Sequence, residues 1–168
     1  HRATWLAWPH NASDWPVKIL AAVWAFVEVV RRLVPDERVC LLVENAAREK
    51  RARALLARAG VDLERVAFHR APTDRAWMRD SGPTFVFGKG GRRVALDWRF
   101  NAWAKYDNWR RDDRVAARVA AFAGVDVVLP TWRKQRVVLE GGAIDVDGAG
   151  TLLTTEAWTA ESNQASAL

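Results

Sequence analysis

Cysteine is nearly absent, with one residue in a chain of 168. A single thiol cannot form an internal disulfide, and disulfide-free chains are typical of a reducing compartment. Cys40 lies inside an apolar run with no adjacent base, which favours a packed thiol over a nucleophile. We therefore expect a cytoplasmic protein in which Cys40 performs no chemistry.

Long hydrophobic runs are also lacking. The longest, from Ile19 to Val27, stops at Glu28 and is shorter than the roughly 20 apolar residues that a membrane-spanning helix needs. The sequence shows no signal peptide, and it does not begin with Met. With 50% hydrophobic residues, the chain holds enough apolar side chains to fold as a globular domain without a membrane.

Nucleic-acid-binding motifs are absent although the formal net charge is +6. The sequence has no zinc-finger spacing, basic zipper or RNP-type aromatic strand. Its arginines are spread along amphipathic segments, which indicates solvated helix faces and not a binding patch. We expect no nucleic-acid partner, no metal and no other cofactor.

Tryptophan, in contrast, is abundant, with ten residues. Most of them are expected in the core. Several stand beside polar or turn residues, where indole rings can line a pocket for a flat or aliphatic cation.

Apolar periodicity predicts a mixed α/β chain built of small units. The predicted strands are Thr4–Pro9, Arg38–Glu44, Leu63–His69, Thr84–Phe87, Arg92–Trp98, Val125–Leu129, Gln135–Leu139, Ala143–Val146 and Thr151–Thr155. The predicted helices are Val17–Val34, capped by Ser13 or Asp14, then Ala46–Ala59 and Asp113–Phe122. A group of two strands, a helix and a strand recurs. The Gly88–Gly91 turn joins two strands and opens no helix, so it is not the phosphate-binding loop of a doubly wound fold.

The stretch Trp77-Met78-Arg79-Asp80-Ser81-Gly82-Pro83 concentrates an indole, a cation and a carboxylate before a predicted strand. Because Gly and Pro do not propagate a helix, we expect Asp80 on a tight loop at the mouth of that strand. A carboxylate beside an indole suits a flat cation. A turn with a surface Arg–Asp pair is the simpler alternative.

Three sets of segments together resemble the family of agmatine deiminases and bacterial-type peptidylarginine deiminases. They are Thr4–Pro9; Trp77–Pro83 with Asp97–Trp103; and Leu139–Gly142 with Gly148–Glu156. The resemblance implies the pentein fold, a β/α propeller of five strand-strand-helix-strand units. Members are about twice this long, so the resemblance implies the amino-terminal part: a single partial domain over 1–168, with about two units, the start of a third, and a frayed tail from 159 to 168.

The resemblance also implies the chemistry, which is hydrolysis of a guanidinium to a ureido group and ammonia through a cysteine thiouronium adduct. Asp80 matches the first guanidinium-binding carboxylate, and Glu140, ahead of two glycines, matches the second acidic contact. Trp77 matches a pocket wall, and Asn101 and Trp103 complete the expected substrate-binding set. The residue types fit, because a guanidinium presents five donors in a plane and fixed carboxylates are acceptors.

The nucleophilic Cys and the Gly-His-x-Asp segment of the family have no match in this sequence, and Cys40, His1, His10 and His69 stand in other contexts. We therefore expect the chain alone to be inactive. The expected function is the substrate-binding part of an enzyme of putrescine biosynthesis that acts on agmatine. The alternatives are a peptidylarginine deiminase or a non-catalytic half-propeller that binds a guanidinium or self-associates. The expected partners are the missing carboxyl-terminal half or a second copy.

Overall fold

The computed structural model describes residues 2–155, which form two compact units. One unit ends at Met78 and the other begins at Arg79. The prediction of a single partial domain over 1–168 stays a prediction, and the tail expected to be frayed lies outside the described residues.

The first unit is a parallel sheet in the order β1-β2-β3. Its elements are β1 (Ala3–Ala7), α1 (Ile19–Leu33), β2 (Arg38–Val43), α2 (Ala46–Arg58) and β3 (Val66–Arg70). The apolar core forms where one sheet face packs on both helices, and it includes Val30, Leu41 and Leu56. The strand register places Trp5, Cys40 and His69 on the opposite face.

The two helices of this unit begin differently. The Asn45 side chain accepts a hydrogen bond from the Arg48 N–H and so caps α2. The first helix begins two residues later than Val17, and neither Ser13 nor Asp14 caps it, so that part of the prediction was wrong. A 3-10 turn, Ala12–Asp14, takes up this stretch instead, and the Asn11 side chain caps it.

The second unit contains the strand-strand-helix-strand group that the sequence predicts. A single helical turn, α3 (Met78–Ser81), leads into β4 (Thr84–Phe87), β5 (Arg93–Leu96), α4 (Val115–Ala123) and β6 (Asp126–Val128). The sheet order is β4-β5-β6, antiparallel across the hairpin and parallel across the α4 crossover. Gly124 ends α4 in the left-handed conformation, with φ of 65°.

Two small hairpins follow. They are β7 (Thr131–Trp132) with β8 (Gln135–Arg136), and β9 (Ile144–Val146) with β10 (Leu152–Thr154). The single strand predicted over Gln135–Leu139 was wrong. Arg133 and Lys134 form a two-residue turn with positive φ, so the first residues of the predicted strand pair with β7 in the first hairpin. Neither Arg nor Lys is a residue type that predicts such a turn. The remainder runs beside Arg99, which forms a parallel bridge with Val138.

Within residues 2–155, no helix is both long and apolar enough to cross a membrane. The same residues contain no group of three His, Cys, Asp or Glu side chains arranged to hold a metal ion.

Candidate functional site

Asp80 lies in the helical turn α3 and not in an open loop, which corrects the expectation from sequence. The breakers Gly82 and Pro83 come only after the turn has closed at Ser81, so they end the helix without preventing it. The backbone of α3 thereby holds the carboxylate at a defined position ahead of β4.

Two glycines allow the segment after Glu140 to approach α3. A Cβ on Gly141 would clash with the carbonyl oxygen of Arg79, and a Cβ on Gly142 would clash with Oδ1 of Asp80. The absence of both side chains lets the Gly142 N–H donate a hydrogen bond to the Asp80 carboxylate. Leu139–Gly142 and Trp77–Pro83, which the sequence singled out separately, therefore meet through Asp80.

Arg79 ties the same two segments together through a backbone acceptor and not through a hydrogen bond to its neighbour Asp80. Its Nη2 donates to the carbonyl oxygen of Ile144 at 2.8 Å. The cation adjacent to Asp80 in the chain is thus directed to a backbone acceptor, and the surface Arg–Asp pair considered from the sequence does not form between these two residues.

Asn101 and Glu140 occupy equivalent positions on two parallel segments that lie side by side. Arg99 pairs with Val138, and each of the two side chains lies two residues further on. Both are buried, with exposures of 5% for Asn101 and 4% for Glu140. Among the described residues, neither Oδ1 nor Nδ2 of Asn101 has a hydrogen-bond partner. An unpaired buried amide costs folding free energy, so a buried water or a ligand is expected to supply the partner.

Burial sets the electrostatics of Asp80. It raises the pKa of the carboxyl above its ordinary value, and the Gly142 N–H and the Arg79 charge offset only part of that rise. The ionised form is therefore held at a cost, which a bound cation would reduce.

Trp103 lies in a left-handed turn that follows Asn101. Ala102, Trp103 and Ala104 have φ of 52°, 57° and 53°. Non-glycine residues adopt this region at a cost and tend to do so near functional sites. The indole contacts the rings of Phe100 and Tyr106 edge-on and is 42% exposed, so it is available to a ligand.

A second aspartate, Asp97, is buried before this turn, but it already pairs with an arginine of the chain. Asp97 accepts a hydrogen bond from Nη2 of Arg136 at 2.8 Å. Burial raises the pKa of Asp97, and the Arg136 charge opposes that rise. Asp113 Oδ1 accepts from the Phe100 N–H at 2.9 Å, which fixes the backbone one residue before Asn101.

Trp77 belongs to the first unit and is half-buried. The guanidinium of Arg75 lies 4.6 Å from the centroid of its ring, and Arg75 forms an ion pair with Asp14. Reasoning from sequence missed both residues, because Asp14 resembled a helix cap. The available signal was the spacing of Arg75 and Trp77, since side chains two residues apart share one side of an extended segment.

Cys40 and His69, which could in principle act as nucleophile or base, are packed against other side chains and have pKa shifts that follow from burial. Burial raises the pKa of the Cys40 thiol, which disfavours a thiolate. The His69 ring stacks on Trp5 with 5.1 Å between centroids, and burial lowers its pKa.

Comparison with known proteins identifies the family. The sequence model of Porphyromonas-type peptidyl-arginine deiminase matches residues 1–168. The agmatine deiminase of Ectopseudomonas mendocina is 38% identical over 161 residues, which cover 93% of this chain and 41% of the relative. The agmatine deiminase of Stutzerimonas stutzeri is 37% identical over 163 residues, covering 93% and 41%.

A solved structure agrees with the sequence matches. The agmatine deiminase of Enterococcus faecalis superposes with a TM-score of 0.77 at 29% identity, over 92% of this chain and 41% of that chain. The chain thus spans about 41% of the length of these relatives. These matches confirm the pentein fold and the resemblance inferred from the three sets of motifs. The chain belongs to the Porphyromonas-type peptidyl-arginine deiminase family.

Proposed function

We propose that this chain is the guanidinium-binding part of an agmatine deiminase, which hydrolyses agmatine to N-carbamoylputrescine and ammonia. One observation carries the proposal: the half-buried Asp80 carboxylate, held by the Gly142 N–H, whose neighbouring cation Arg79 is directed elsewhere. The names of the relatives support agmatine as the substrate.

The proposed grip uses acceptors that match a planar cation. A guanidinium carries five N–H donors and no acceptor, so it needs carboxylate and amide oxygens around its edge. Asp80 and Glu140 supply charge-assisted hydrogen bonds, and Oδ1 of Asn101 supplies a neutral one. Trp103 is proposed to contact the substrate through its ring face, and the substrate-binding role of Trp77 stays a prediction from the resemblance.

The chemical step is proposed to use residues that this sequence does not match. A cysteine thiolate forms a bond to the guanidinium carbon, the C–N bond breaks, and a histidine delivers the proton with which ammonia leaves. Water then attacks the same carbon and displaces the sulfur, which leaves the ureido product. Asp80 and Glu140 hold the guanidinium nitrogens during both attacks.

Calorimetric titration of the 168-residue chain with agmatine tests the grip. We expect saturable binding by the native chain and a loss of roughly tenfold or more in affinity for Asp80→Asn, since one charge-assisted contact is removed. Asp107→Asn removes an exposed carboxylate from the same unit and serves as the control. Equal affinity in Asp80→Asn and the native chain would refute the role of Asp80.

A colorimetric assay for ureido product tests whether the catalytic residues lie outside this chain. We expect no turnover of agmatine by the 168-residue chain, since it matches neither the nucleophile nor the histidine motif. Turnover by this polypeptide would show that the nucleophile is present after all.

Peptidyl-arginine is the second candidate substrate, and the description of the matching family favours it. A peptide with an internal arginine carries backbone on both sides of the side chain, whereas agmatine ends in an amine. Competition between such a peptide and agmatine separates the two. Tighter binding of the peptide would favour the second candidate.

Exposed apolar side chains in the second unit bear on the third candidate, a self-associating module. They occupy β6 and the two hairpins, and include Val128, Trp132 and Leu153 at 44%, 69% and 66% exposure. Exposed edge strands promote association. We expect concentration-dependent dimerisation in light scattering, and a monomer at all concentrations would contradict it.

A further inference from the structure

Two short segments of the second unit, 97–101 and 136–140, run parallel and are called here the paired segments. Their bridge is made by the backbone of Arg99. Its N–H donates to the Val137 carbonyl oxygen at 3.0 Å, and its carbonyl oxygen accepts from the Leu139 N–H at 3.3 Å. Backbone groups can pair in more than one register, so a ladder this short specifies its own alignment weakly.

Further backbone bonds limit how far the paired segments can move. The Asp97 N–H donates to the Val128 carbonyl oxygen, and the Val137 N–H donates to the Pro130 carbonyl oxygen, both at 2.9 Å. Both segments therefore lie beside the chain that leaves β6. These bonds hold the segments close, but they too involve only backbone groups and do not select one register by residue type.

Arg136 supplies a side-chain contact between the paired segments. Its Nη2 donates to the backbone carbonyl oxygen of Asp97 at 3.0 Å and to the carboxylate Oδ1 of the same residue at 2.8 Å. On each segment this ion pair lies two residues before the Arg99 bridge, and Asn101 and Glu140 lie two residues after it. The alignment that joins the ion pair is thus the one that brings the two proposed acceptors together.

A slip of one residue between the paired segments would separate these acceptors. Each residue of an extended segment advances the chain by about 3.3 Å, which is more than the length of a hydrogen bond. Asn101 would then stand beside Leu139 or Gly141, and neither has a polar side chain. A guanidinium that needs the oxygens of both Asn101 and Glu140 would lose one of them.

The surroundings of Asp97 favour a role in alignment. Burial raises the pKa of this carboxyl, the Arg136 charge opposes the rise, and the Asp113 charge adds to it. Buried ion pairs contribute little net stability, and their best-attested role is to select one register. An apolar pair would tolerate a slip, whereas Nη2 of Arg136 meets both Asp97 oxygens in one alignment.

The Asn101 amide depends on its backbone for its position. Neither of its polar atoms has a hydrogen-bond partner in the part of the chain that the structure describes. Asp113, in the 3-10 turn Asp112–Arg114, accepts from the Phe100 N–H at 2.9 Å. The backbone is therefore held one residue before Asn101 by Asp113 and four residues before it by Arg136.

We propose that Arg136 and Asp97 are positioning residues, which align the paired segments so that Asn101 and Glu140 reach the same substrate guanidinium. This inference rests on the proposed function. In this scheme neither member of the ion pair touches the substrate, and both act through the backbone. Because the bonds beside β6 limit the slip, losing the ion pair should weaken the grip without abolishing it.

Hydrogen exchange in the 168-residue chain without ligand tests the alignment. The amides of Arg99 and Leu139 report on the bridge, since both donate across it. In Arg136→Gln we expect these two amides to exchange roughly tenfold faster or more. Amides of the β4–β5 hairpin should keep their native rates, because the unit stays folded.

Calorimetric titration with agmatine tests the consequence for binding. We expect Arg136→Gln to weaken binding by about tenfold, because one acceptor is displaced while Asp80 keeps its place. Native affinity in this variant would overturn the positioning role.

Arg92→Gln is the matched control in the same unit. Arg92 pairs with Asp126, so it too joins neighbouring parallel strands, but at the ends of β5 and β6 remote from Asn101 in the chain. Val119→Ala adds a control for stability, since it leaves a cavity under α4. Both variants should keep native affinity. If either weakens binding as much as Arg136→Gln, the effect is general and the proposal fails.

Arg136→Lys tests rescue by a conservative change. Both contacts to Asp97 come from Nη2 alone, and Nε has no hydrogen-bond partner among the described residues. A lysine ammonium has three donors on one nitrogen and can replace them. We expect exchange rates and affinity near native values, and a loss as large as in Arg136→Gln would overturn the proposal.

Asp97→Asn decides the matter if Arg136→Gln does not fold. The amide keeps an oxygen for Nη2 of Arg136 but loses the charge, and a neutral hydrogen bond is about half as strong as a charge-assisted one. We expect faster exchange at Leu139 together with weaker agmatine binding. Native affinity would overturn the proposal.

The two measurements separate this inference from the proposed function. Unchanged exchange in Arg136→Gln overturns the alignment role whatever agmatine does. Faster exchange with native affinity overturns the link between alignment and binding, and the proposed function stands. Absence of agmatine binding by the native chain refutes the proposed function, and the positioning role with it, even where exchange shows that the ion pair aligns the paired segments.

Discussion

Replacing Gly142 with alanine should damage substrate binding more than folding. The added Cβ would clash with Oδ1 of Asp80, which is the end of a side chain. The carboxylate can relieve the clash by rotating away, at the price of its hydrogen bond from the Gly142 N–H. Residue 142 is exposed, so water can replace that partner.

The adjacent glycine gives the opposite prediction. A Cβ on Gly141 would clash with the carbonyl oxygen of Arg79, which belongs to the backbone of α3 and cannot rotate away. Gly141→Ala should therefore lower the free energy of unfolding by about 1–3 kcal/mol, as overpacking typically does. Gly142→Ala should change it by less than about 1 kcal/mol, since one exposed hydrogen bond is exchanged for water.

The affinity for agmatine should also distinguish the two variants, because only Gly142→Ala displaces the Asp80 carboxylate itself. Moving the carboxylate out of place removes a charge-assisted contact worth about 1.5–3 kcal/mol, so Gly142→Ala should weaken binding at least tenfold. Urea denaturation measures stability and calorimetric titration measures affinity. NMR titration of the Asp80 carboxyl adds an independent reading, because a carboxylate displaced into water should recover a more ordinary pKa.

Gly88→Ala serves as the control for these variants. A Cβ there would lie 3.5 Å from the Arg92 carbonyl oxygen, an ordinary contact, so stability and affinity should both stay near native values. The reasoning is refuted if Gly142→Ala binds agmatine with native affinity. It is also refuted if Gly141→Ala is as stable as the native chain.

Four further outcomes follow from three individual residues. Folding raises the pKa of Asp80, so the protonated carboxyl favours the folded state, and this contribution to stability is lost as pH rises through the folded pKa. At pH 7 the native chain carries the costly ionised form. Asp80→Asn should therefore be more stable than the native chain at pH 7 in urea denaturation. By the same shift, agmatine binding should weaken on acidification at a higher pH than an exposed aspartate would cause, and a midpoint at or below the ordinary 3.8 would contradict this. Asn101→Leu should raise the free energy of unfolding by about 1–3 kcal/mol while weakening agmatine binding, and a destabilised variant with native affinity would count against a ligand role. Val17→Gly should stabilise the chain by about 1 kcal/mol in thermal denaturation, since Val17 is fully exposed at φ of 55° and its packing contributes little.

Sequence patterns predicted the elements that depend on local physics. The apolar run of β2 and the helices α2 and α4 each follow from neighbouring residues, and they lie where they were expected within a residue or two. The motifs around Asp80 and Glu140 predicted that both residues serve one site. Their connection through Gly142 agrees with that expectation, while their roles stay proposals.

The errors share a cause, which is that tertiary contacts decided the outcome. Asp14 has the composition of a helix cap, yet the distant Arg75 takes its carboxylate. The hairpin over Arg133 and Lys134 uses left-handed residues that no local propensity favours. The left-handed turn around Trp103 was missed for the same reason. Such features depend on which segments meet, and a single sequence carries little information about that.

The contrast between Asp80 and Asp97 shows why Asp80 is the better candidate for binding a cation. Burial raises the pKa of both carboxyls, so a perturbed pKa alone does not distinguish a site from a structural pair. Asp97 already has an arginine, with Nη2 of Arg136 at 2.8 Å, and this internal partner offsets part of the cost of its burial. The hydrogen bond that Asp80 accepts in the described part of the chain comes from the Gly142 N–H, a neutral donor. The Arg79 charge acts on Asp80, but its Nη2 donates to the Ile144 carbonyl oxygen. A desolvated carboxylate that accepts no hydrogen bond from a cation gains more free energy from an external cation than one already bonded to an arginine, which is the property that a guanidinium-binding residue requires.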